Sequence, residues 1–402
     1  MNEERVQIIG NDMIIDSSLW HACAGRLVHV PPVNSTVSYF PQGHFEHAGM
    51  ENADDAIATA SRIPWRIQCR VTSVELKMDS RTEEVYTKIH LNPIVTNNNN
   101  STDDDKDYAL SESLNLFGRS QFLTKVLTQS DANNGGGFSV PKKLAETIFP
   151  PLNYKITKPG IEKLPSQDIL ARDYRGNIWK FRHVYRGNPL RHLLTTGWSK
   201  FVTAKQVVSG DTIVFGRDDN GDVYVGIRRV RRARWQGRIR AESVLEAARL
   251  AAIGRGFEVR YYPSSSTTEF CVVDSVVNAT KRKMVNEFGA GTRIKMAFET
   301  LNSTGVEPVG WYKGSIESVE DVDPNHWPGS LWRRLKVRWD VDAVNLRKQI
   351  NPWLVQVVST RVIQTYDRKR GGEQLEESNH VVKKQTVYLF GAPIGESKRR
   401  SG

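Results

Sequence analysis

The chain has 402 residues, 39% of them hydrophobic and 25% charged, which favours two or three globular domains. Lys and Arg number 56 against 45 Asp and Glu; the net charge of +11 points to a polyanionic partner, or more plainly to a generally basic surface. Cys23, Cys69 and Cys271 form no C-x-x-C pair, no basic-then-apolar leader opens the chain, and no apolar run reaches the ~18 residues of a membrane span, so it reads as soluble and intracellular, without disulfide framework or thiolate zinc.

In chain order, Arg66–Leu76 ("RIQCRVTSVEL") and Val85–Ile94 alternate around "KMDSRTEE" and predict a hairpin. "NNNNSTDDDKD" (97–107) is polar and low in complexity, a disordered surface loop by composition. From Gln121, "QFLTKVLTQSD" reads as a strand, "ANNGGGFSV" as a glycine-rich turn, and "PKKLAETIF" as a short helix opened by Pro141. "DILARDYRGNIWKFRHVYRG" predicts two strands around a turn and "TAKQVV" a second short helix. "DTIVFGRDDNGDVYVGIRR" predicts a hairpin closed at Asp-Asn-Gly. Together these make a small, partly open barrel.

Past Arg228 the chain turns basic ("RRVRRARWQGRIR"). "AESVLEAARLAAIGRG" has helical periodicity up to Gly254 and Gly256. Its Ala247, Ala248, Ala251 and Ala252 allow close packing, on its own sheet or on a second subunit. "GFEVRYYP", "EFCVV" and "TRIKMAFET" are further strands. "GWYKGSIESVED", "LWRRLKVRWD" and "NPWLVQVVS" carry Trp311, Trp327, Trp332, Trp339 and Trp353, which suits an SH3-like or Tudor-like barrel. The indoles either fill its core or form a cage for methylated lysine. The remainder, from Tyr366, reads as largely flexible.

Enzyme signals are weak. His44 and His47 have an H-x-x-H spacing with no third ligand at a usual distance, and "NNGGGF" lacks the residues of a P-loop or dinucleotide fingerprint. Ser139 and Ser199 lie outside any G-x-S-x-G, and Cys23 in "WHACAG" has no protease signature. No catalytic residue, metal or cofactor is expected. "YRGNPLRHLLTTGWSKF" (185–201) is different: two arginines, a histidine and a lysine, with no carboxylate. Arginine's planar fork matches guanine O6 and N7, and Pro189 between Arg186 and Arg191 fixes the backbone.

"LTQSDANNGGGFSVPKKLAETIFPPL", "WKFRHVYRGNPLRHLLTTGWSKFV" and "SGDTIVFGRDDNGDVYVGIRR" closely resemble the plant B3 DNA-binding domain of auxin response factors. "LWHACAGRLVHVPPVNSTVSYFPQGHFEHA" is similar to the segment before B3 in that family. "EFCVV", "RIKMAFET", "WPGSLWRRLKVRWD" and "NPWLVQVVS" are similar to the segment after it, so nearly everything from Ser17 to about Ser359 is covered. The resemblance implies a mainly β chain with short helices. A seven-stranded open B3 pseudobarrel (119–232) is inserted in a flanking α/β dimerisation domain (17–118 and 233–305), followed by a Tudor-like ancillary barrel (306–365). Residues 1–16 and 366–402 would be a flexible N-terminus and tail.

It further implies a nuclear transcription factor binding TGTC-type auxin response elements as a homodimer on inverted repeats, one B3 per half-site, with related family members as possible partners. Carried over by position, Arg186 and Arg191 match base-reading arginines, Pro189 packs against bases, and Gly135 and Gly136 lie on the second DNA-facing loop. Lys125, Ser130, Asn134, Thr196 and Ser199 match positions that hold the DNA backbone or brace the loops. Ser243, Val244 and Ala247 match the helix of the family's dimer contact. Many members carry histidine at Gly135 and arginine at Leu190, so specificity is expected to differ there. "NNGGGFSV" and "AESVLEAA" are similar to the branch treated as repressors, which implies repression or competition for sites. No segment after Thr365 resembles the terminal domain that pairs with Aux/IAA repressors, so these are not expected partners through this chain. The alternative reading is a chromatin reader using the Trp-rich barrel.

Overall fold

The computed structural model describes residues 8–9, 12–14, 16–50, 63–94, 121–133, 135, 137–154, 157–158, 161–162, 164–230, 239–265, 268–301, 310–341, 347–358, 386–389 and 392–393. The first part runs β1 (Ile8–Ile9), β2 (Asp12–Ile14), α1 (Ser17–Ala24), β3 (Thr36–Tyr39), α2 (Pro41–His47), β4 (Ile67–Asp79) and β5 (Val85–Pro93). Strands β1 and β2 lie in the segment expected to be flexible; β2 pairs with the end of β4, Asp12 opposite Asp79. The predicted β4–β5 hairpin forms, and its pairing extends to Met78 opposite Val85 because Met78 is fully buried. The turn is then closed by Asp79, whose carboxylate accepts the N–H groups of Arg81 and Thr82 at 2.8 and 3.1 Å. The polar stretch 97–107 lies outside the described residues.

Next come β6 (Gln121–Val126), β7 (Phe138–Val140), α3 (Lys142–Ile148), β8 (Thr157–Lys158), β9 (Ile161–Glu162), β10 (Ser166–Arg172), β11 (Ile178–Arg186), β12 (Arg191–Leu194), α4 (Trp198–Lys205), β13 (Thr212–Arg217) and β14 (Val223–Arg228). Seven of these strands form an open barrel in the order β6-β13-β14-β10-β11-β12-β7, around Phe138, Phe181, Trp198, Phe201 and Phe215. The second helix is not at "TAKQVV": it starts at Trp198 and stops at Lys205. Trp198, Phe201 and Val202 supply the apolar face that the core selects, and Gln206, left-handed at φ 50°, ends the helix. Gly197 starts it where any Cβ would lie 2.0 Å from the Lys180 carbonyl oxygen.

The chain then returns through α5 (Ala241–Ala252), β15 (Phe257–Tyr261), β16 (Cys271–Val273) and α6 (Asp274–Asn286). β15 pairs with β5 and β16 with β3, so strands from before and after the barrel share one seven-stranded sheet. The barrel is thus an insertion, and it is fastened to its frame at two places. Helix α1 packs Leu19 and Cys23 against Gly226 of β14, where a Cβ would meet Cys23 Sγ at 2.5 Å. Arg228 donates to the Cys23 and Ala22 carbonyls, both at 3.0 Å. At the other place Glu83, on the β4–β5 turn, accepts from Tyr174 (2.8 Å), Arg175 (3.0 Å) and Lys205 (2.8 Å) of the barrel. Lys205 also meets Asp173 at 2.6 Å, and Arg229 meets Asp211 at 3.1 Å and Glu83 at 3.6 Å. Three carboxylates face three cations, so the buried charges compensate one another.

The last part holds β17 (Arg293–Leu301), β18 (Gly310–Val319), β19 (Leu335–Trp339), β20 (Gln349–Ile350), β21 (Val355–Val357), β22 (Thr386–Leu389) and β23 (Ala392–Pro393). β22 pairs with β17, so the stretch expected to be a flexible tail contributes a strand, consistent with the β-branched and aromatic run "TVYL". The tryptophans depart from expectation too. The small barrel's core is Phe288, Ile294, Met296, Phe298, Ile316, Leu335, Val337, Ile350 and Val355, without Trp327, Trp332 or Trp353. Trp332 and Trp353 pack instead on Phe40, with ring centroids 5.8 and 4.9 Å away, and Trp327 packs on Phe45. These indoles are large enough to bridge two bodies, and Trp332 Nε1 donates to Glu46 of α2 at 2.9 Å.

Gly43 lies under the Trp332 ring, and a Cβ there would come within 2.4 Å of it. Gly43→Ala gains about 1 kcal/mol of helix propensity, whereas overpacking costs about 1–3 kcal/mol. The ring is held by Glu46 and Phe40 and cannot yield, so overpacking wins. Urea unfolding should show a net loss of up to about 2 kcal/mol; an unchanged or raised midpoint would contradict this packing.

Candidate nucleic-acid interface

Strands β11 and β12 form a hairpin whose last paired residues are Arg186 and Arg191, directly opposite each other. Alternation puts His183, Leu194 and His192 inside and the two arginines outside. The tip, Gly187-Asn188-Pro189-Leu190, is exposed; Gly187 has φ 108°, a value natural only to glycine, and the Asn188–Pro189 peptide is cis. Lower on the same face, Arg182 and Lys180 share Asp168, each at 3.0 Å. Among the described residues no carboxylate pairs with Arg186 or Arg191. Leu190, 62% exposed, stands between them as an apolar tip.

The neighbouring loop is built on Asp131, which is 1% exposed and which sequence reasoning did not single out. Its carboxylate accepts from Lys125 Nζ (2.9 and 2.8 Å), Thr128 N (3.0 Å), Thr128 Oγ1 (2.7 Å) and Ser139 N (3.1 Å). Its carbonyl accepts from Trp198 Nε1 at 2.8 Å. Lys125 on edge strand β6 also donates to the Ser139 carbonyl on edge strand β7, at 2.5 Å. That bond stitches the seam where the barrel stays open. Burial lowers the Lys125 pKa; Asp131 opposes this and the charge of Arg191 adds to it. Lys125 is therefore committed to bracing the loop. The sequence signal for this device is Thr128-x-x-Asp131, a side chain reaching back to a turn's N–H groups.

Ser130 is exposed on this loop, its hydroxyl 2.9 Å from that of Thr128. Gly135 is exposed, its N–H donating to Asn133 at 3.3 Å, and a Cβ there would meet nothing within 4 Å. Asn134 and Gly136 lie outside the described residues. Thr196 is exposed and its carbonyl accepts the Arg182 N–H at 2.8 Å, which holds the hairpin against the start of α4. Ser199 sits half-buried in the first turn of α4, whose N-terminus has no side-chain cap.

Of the three α5 residues expected at a dimer contact, only Ser243 is exposed. Val244 is covered within the protomer alongside Phe45, Met50, Ala248 and Trp327, and Ala247 joins the frame's main core. The paired histidines are engaged separately. His44 is 2.9 Å from the Tyr39 hydroxyl and stacks on Phe270; His47 accepts the Tyr262 N–H at 3.0 Å and lies 2.8 Å from Ser265 Oγ. Cys23, Cys69 and Cys271 are free and buried, and burial pushes the thiols of Cys23 and Cys69 up to about 12.

An open seven-stranded barrel carrying an arginine-tipped hairpin beside a braced glycine loop defines a B3-type DNA-binding domain; residues 123–231 match the B3 DNA binding domain. Residues 270–359 match the auxin response factor ancillary domain. Auxin response factor 18 of Oryza sativa subsp. japonica is 42% identical over 398 residues, covering 87% of this chain and 55% of its own length. Auxin response factor 16 of Arabidopsis thaliana is 43% identical over 393 residues, covering 87% and 56%. The chain belongs to the auxin response factor family. It spans about half the length of the curated relatives it matches. Among solved structures, a hypothetical Arabidopsis thaliana protein is 22% identical and covers 27% of this chain and 89% of that one, with a TM-score of 0.20.

Behind the arginines, His183 Nε2 lies 3.0 Å from His192 Nδ1, and Gln167 lies 3.2 Å from His183 Nδ1. Burial, then the neighbouring His192, brings the His183 pKa down to about 4 from 6.5, and burial lowers that of His192. The unfolded chain therefore takes up protons that the folded one refuses. Stability is fully present above about pH 6.5 and is lost as pH falls towards 4. Thermal unfolding should show a midpoint falling across that window, with a shallower fall in His183→Gln; a flat wild-type profile would contradict a neutral histidine pair.

Proposed function

We propose that the chain is the DNA-reading part of a nuclear transcription factor that recognises TGTC-type elements through the β11–β12 hairpin. The observation that carries this is the pair Arg186 and Arg191: opposite each other, exposed, and without a carboxylate among the described residues. The major groove admits a two-stranded ribbon, and each guanidinium can present two N–H donors to guanine O6 and N7. Pro189 and Leu190 then lie against base edges or thymine methyl groups. Ser130, Thr196, Ser199 and the uncapped N–H groups of α4 donate to phosphate oxygens, contacts that fix register without reading sequence. The open space at Gly135 leaves one base-edge position unread.

The chain acts as a homodimer on inverted repeats, one barrel per half-site, and can pair with related family members. Support comes from the outer stripe of α5, where Glu242, Ser243, Glu246 and Arg249 are exposed. An isologous antiparallel pairing sets the acids of one copy against Arg249 of the other. With the barrel fastened to the frame through Glu83 and Gly226, the dimer would hold its two hairpins at a set separation. Binding of this kind serves repression or competition for sites.

The reading is tested by measuring affinity for a TGTC site, an altered site and random duplex. Arg186→Ala and Arg191→Ala should each lose about 1–3 kcal/mol of discrimination between the first two. Equal loss on all three duplexes would make them phosphate contacts and overturn the assignment.

A further inference from the structure

The outward face of the β17–β18–β19 sheet carries Arg293 and Lys295 from β17, Trp311 and Lys313 from β18, and Arg338 from β19. Their alternating neighbours Ile294, Met296, Ile316 and Val337 fill the barrel core, so the pattern is a sheet with one dry and one basic side. Lys295 and Lys313 stand directly opposite each other in the ladder, an arrangement that like charges disfavour. Asp340 is engaged by Arg293 at 2.5 Å. Among the described residues neither Lys313 nor Arg338 has an ion pair. In their midst Trp311 is 47% exposed, with Lys295 Nζ 4.4 Å over its ring.

We propose that this face docks an acidic peptide segment of a partner protein, with one apolar side chain of that segment seated on Trp311. Among the described residues the patch sets four cations against Asp340, with Glu317 at its edge on β18; this excess sets the sign of the occupant and disfavours basic, lysine-methylated tails, and the cation already on the indole belongs to Lys295. A single-stranded nucleic acid stacks successive bases on several aromatic side chains. Here one indole supplies one anchor, with cations around it as a rim, which is the layout of a peptide hot spot. Alternate residues of an extended peptide stand about 6.8 Å apart. That is the repeat separating Arg293 from Lys295 and Trp311 from Lys313 along their strands, so carboxylates and anchor meet the face in register.

The test titrates the full chain into a fluorescent peptide of aspartates and glutamates flanking one phenylalanine, with a labelled oligo-dT strand alongside. Trp311→Ala and Lys313→Glu, both at exposed positions, should each weaken peptide binding about tenfold or more while affinity for TGTC duplex stays unchanged. Peptide affinity unaltered in both variants would overturn the proposal. So would loss in Arg186→Ala instead, which would place the peptide on the B3 face. Tighter, Trp311-dependent binding of oligo-dT would overturn it in favour of nucleic acid.

Discussion

One buried carboxylate, Glu83, joins the reading head to its frame. It lies on the turn of the β4–β5 hairpin, adopts φ 59°, an uncommon value for a residue with a Cβ, and is ringed by Tyr174, Arg175, Lys205 and Arg229 of the inserted barrel. Withdrawing three cations and three acids from water costs several kcal/mol per ion, offset only while each keeps its partners. Removing Glu83 alone takes the ion pair from Arg175 and leaves Lys205 and Arg229 with one carboxylate each, Asp173 and Asp211, so the buried cluster carries an excess cation, a change of the kind that costs about 3–5 kcal/mol. Non-directional apolar contact tolerates sliding; this cluster, set by distances of 2.6 to 3.6 Å, does not. The orientation of the hairpin relative to helix α5 follows from it together with the α1–β14 contact at Gly226 and Arg228.

The same logic repeats within the barrel. An open barrel has two edge strands, and Lys125 closes the gap between β6 and β7 while Asp131 holds Lys125, the loop and Trp198 together. With Lys125 used up in this way, the free cations nearest the tip are Arg186 and Arg191. Internal carboxylates neutralise structural cations, and among the described residues none pairs with Arg186 or Arg191.

Local chemistry was legible in the sequence wherever a short stretch decides its own structure. The "RGNPLR" turn, the Asp-Asn-Gly hairpin and the alternation of β4, β5, β10 and β11 all appear where periodicity placed them. Partnership between distant segments was not legible. Trp327, Trp332 and Trp353 belong by sequence to the last barrel, yet they pack against Phe45 and Phe40, and nothing local distinguishes an indole that fills a core from one that spans two. Helix α6, "DSVVNATKRKMVN", is rich in β-branched residues, and α2 is only seven residues long, has no side-chain cap and contains Gly43, so both helices owe more to packing than to propensity. Val244 shows the same limit for the candidate site: resemblance put it on a dimer contact, while burial places it inside the protomer. Asp131 shows only its Thr128 contact in the local sequence; Lys125 and Ser139 lie six and eight positions away, and Trp198 lies 67 away.

In the proposed dimer, a hairpin fixed on its frame makes binding depend on the distance between half-sites. The most direct measurement is affinity for paired TGTC sites as their separation is varied, for wild type and for Glu83→Gln. Wild-type affinity should peak at a preferred separation and its orientation-equivalents, and Glu83→Gln should flatten the profile. Equal wild-type affinity at every separation would contradict the account.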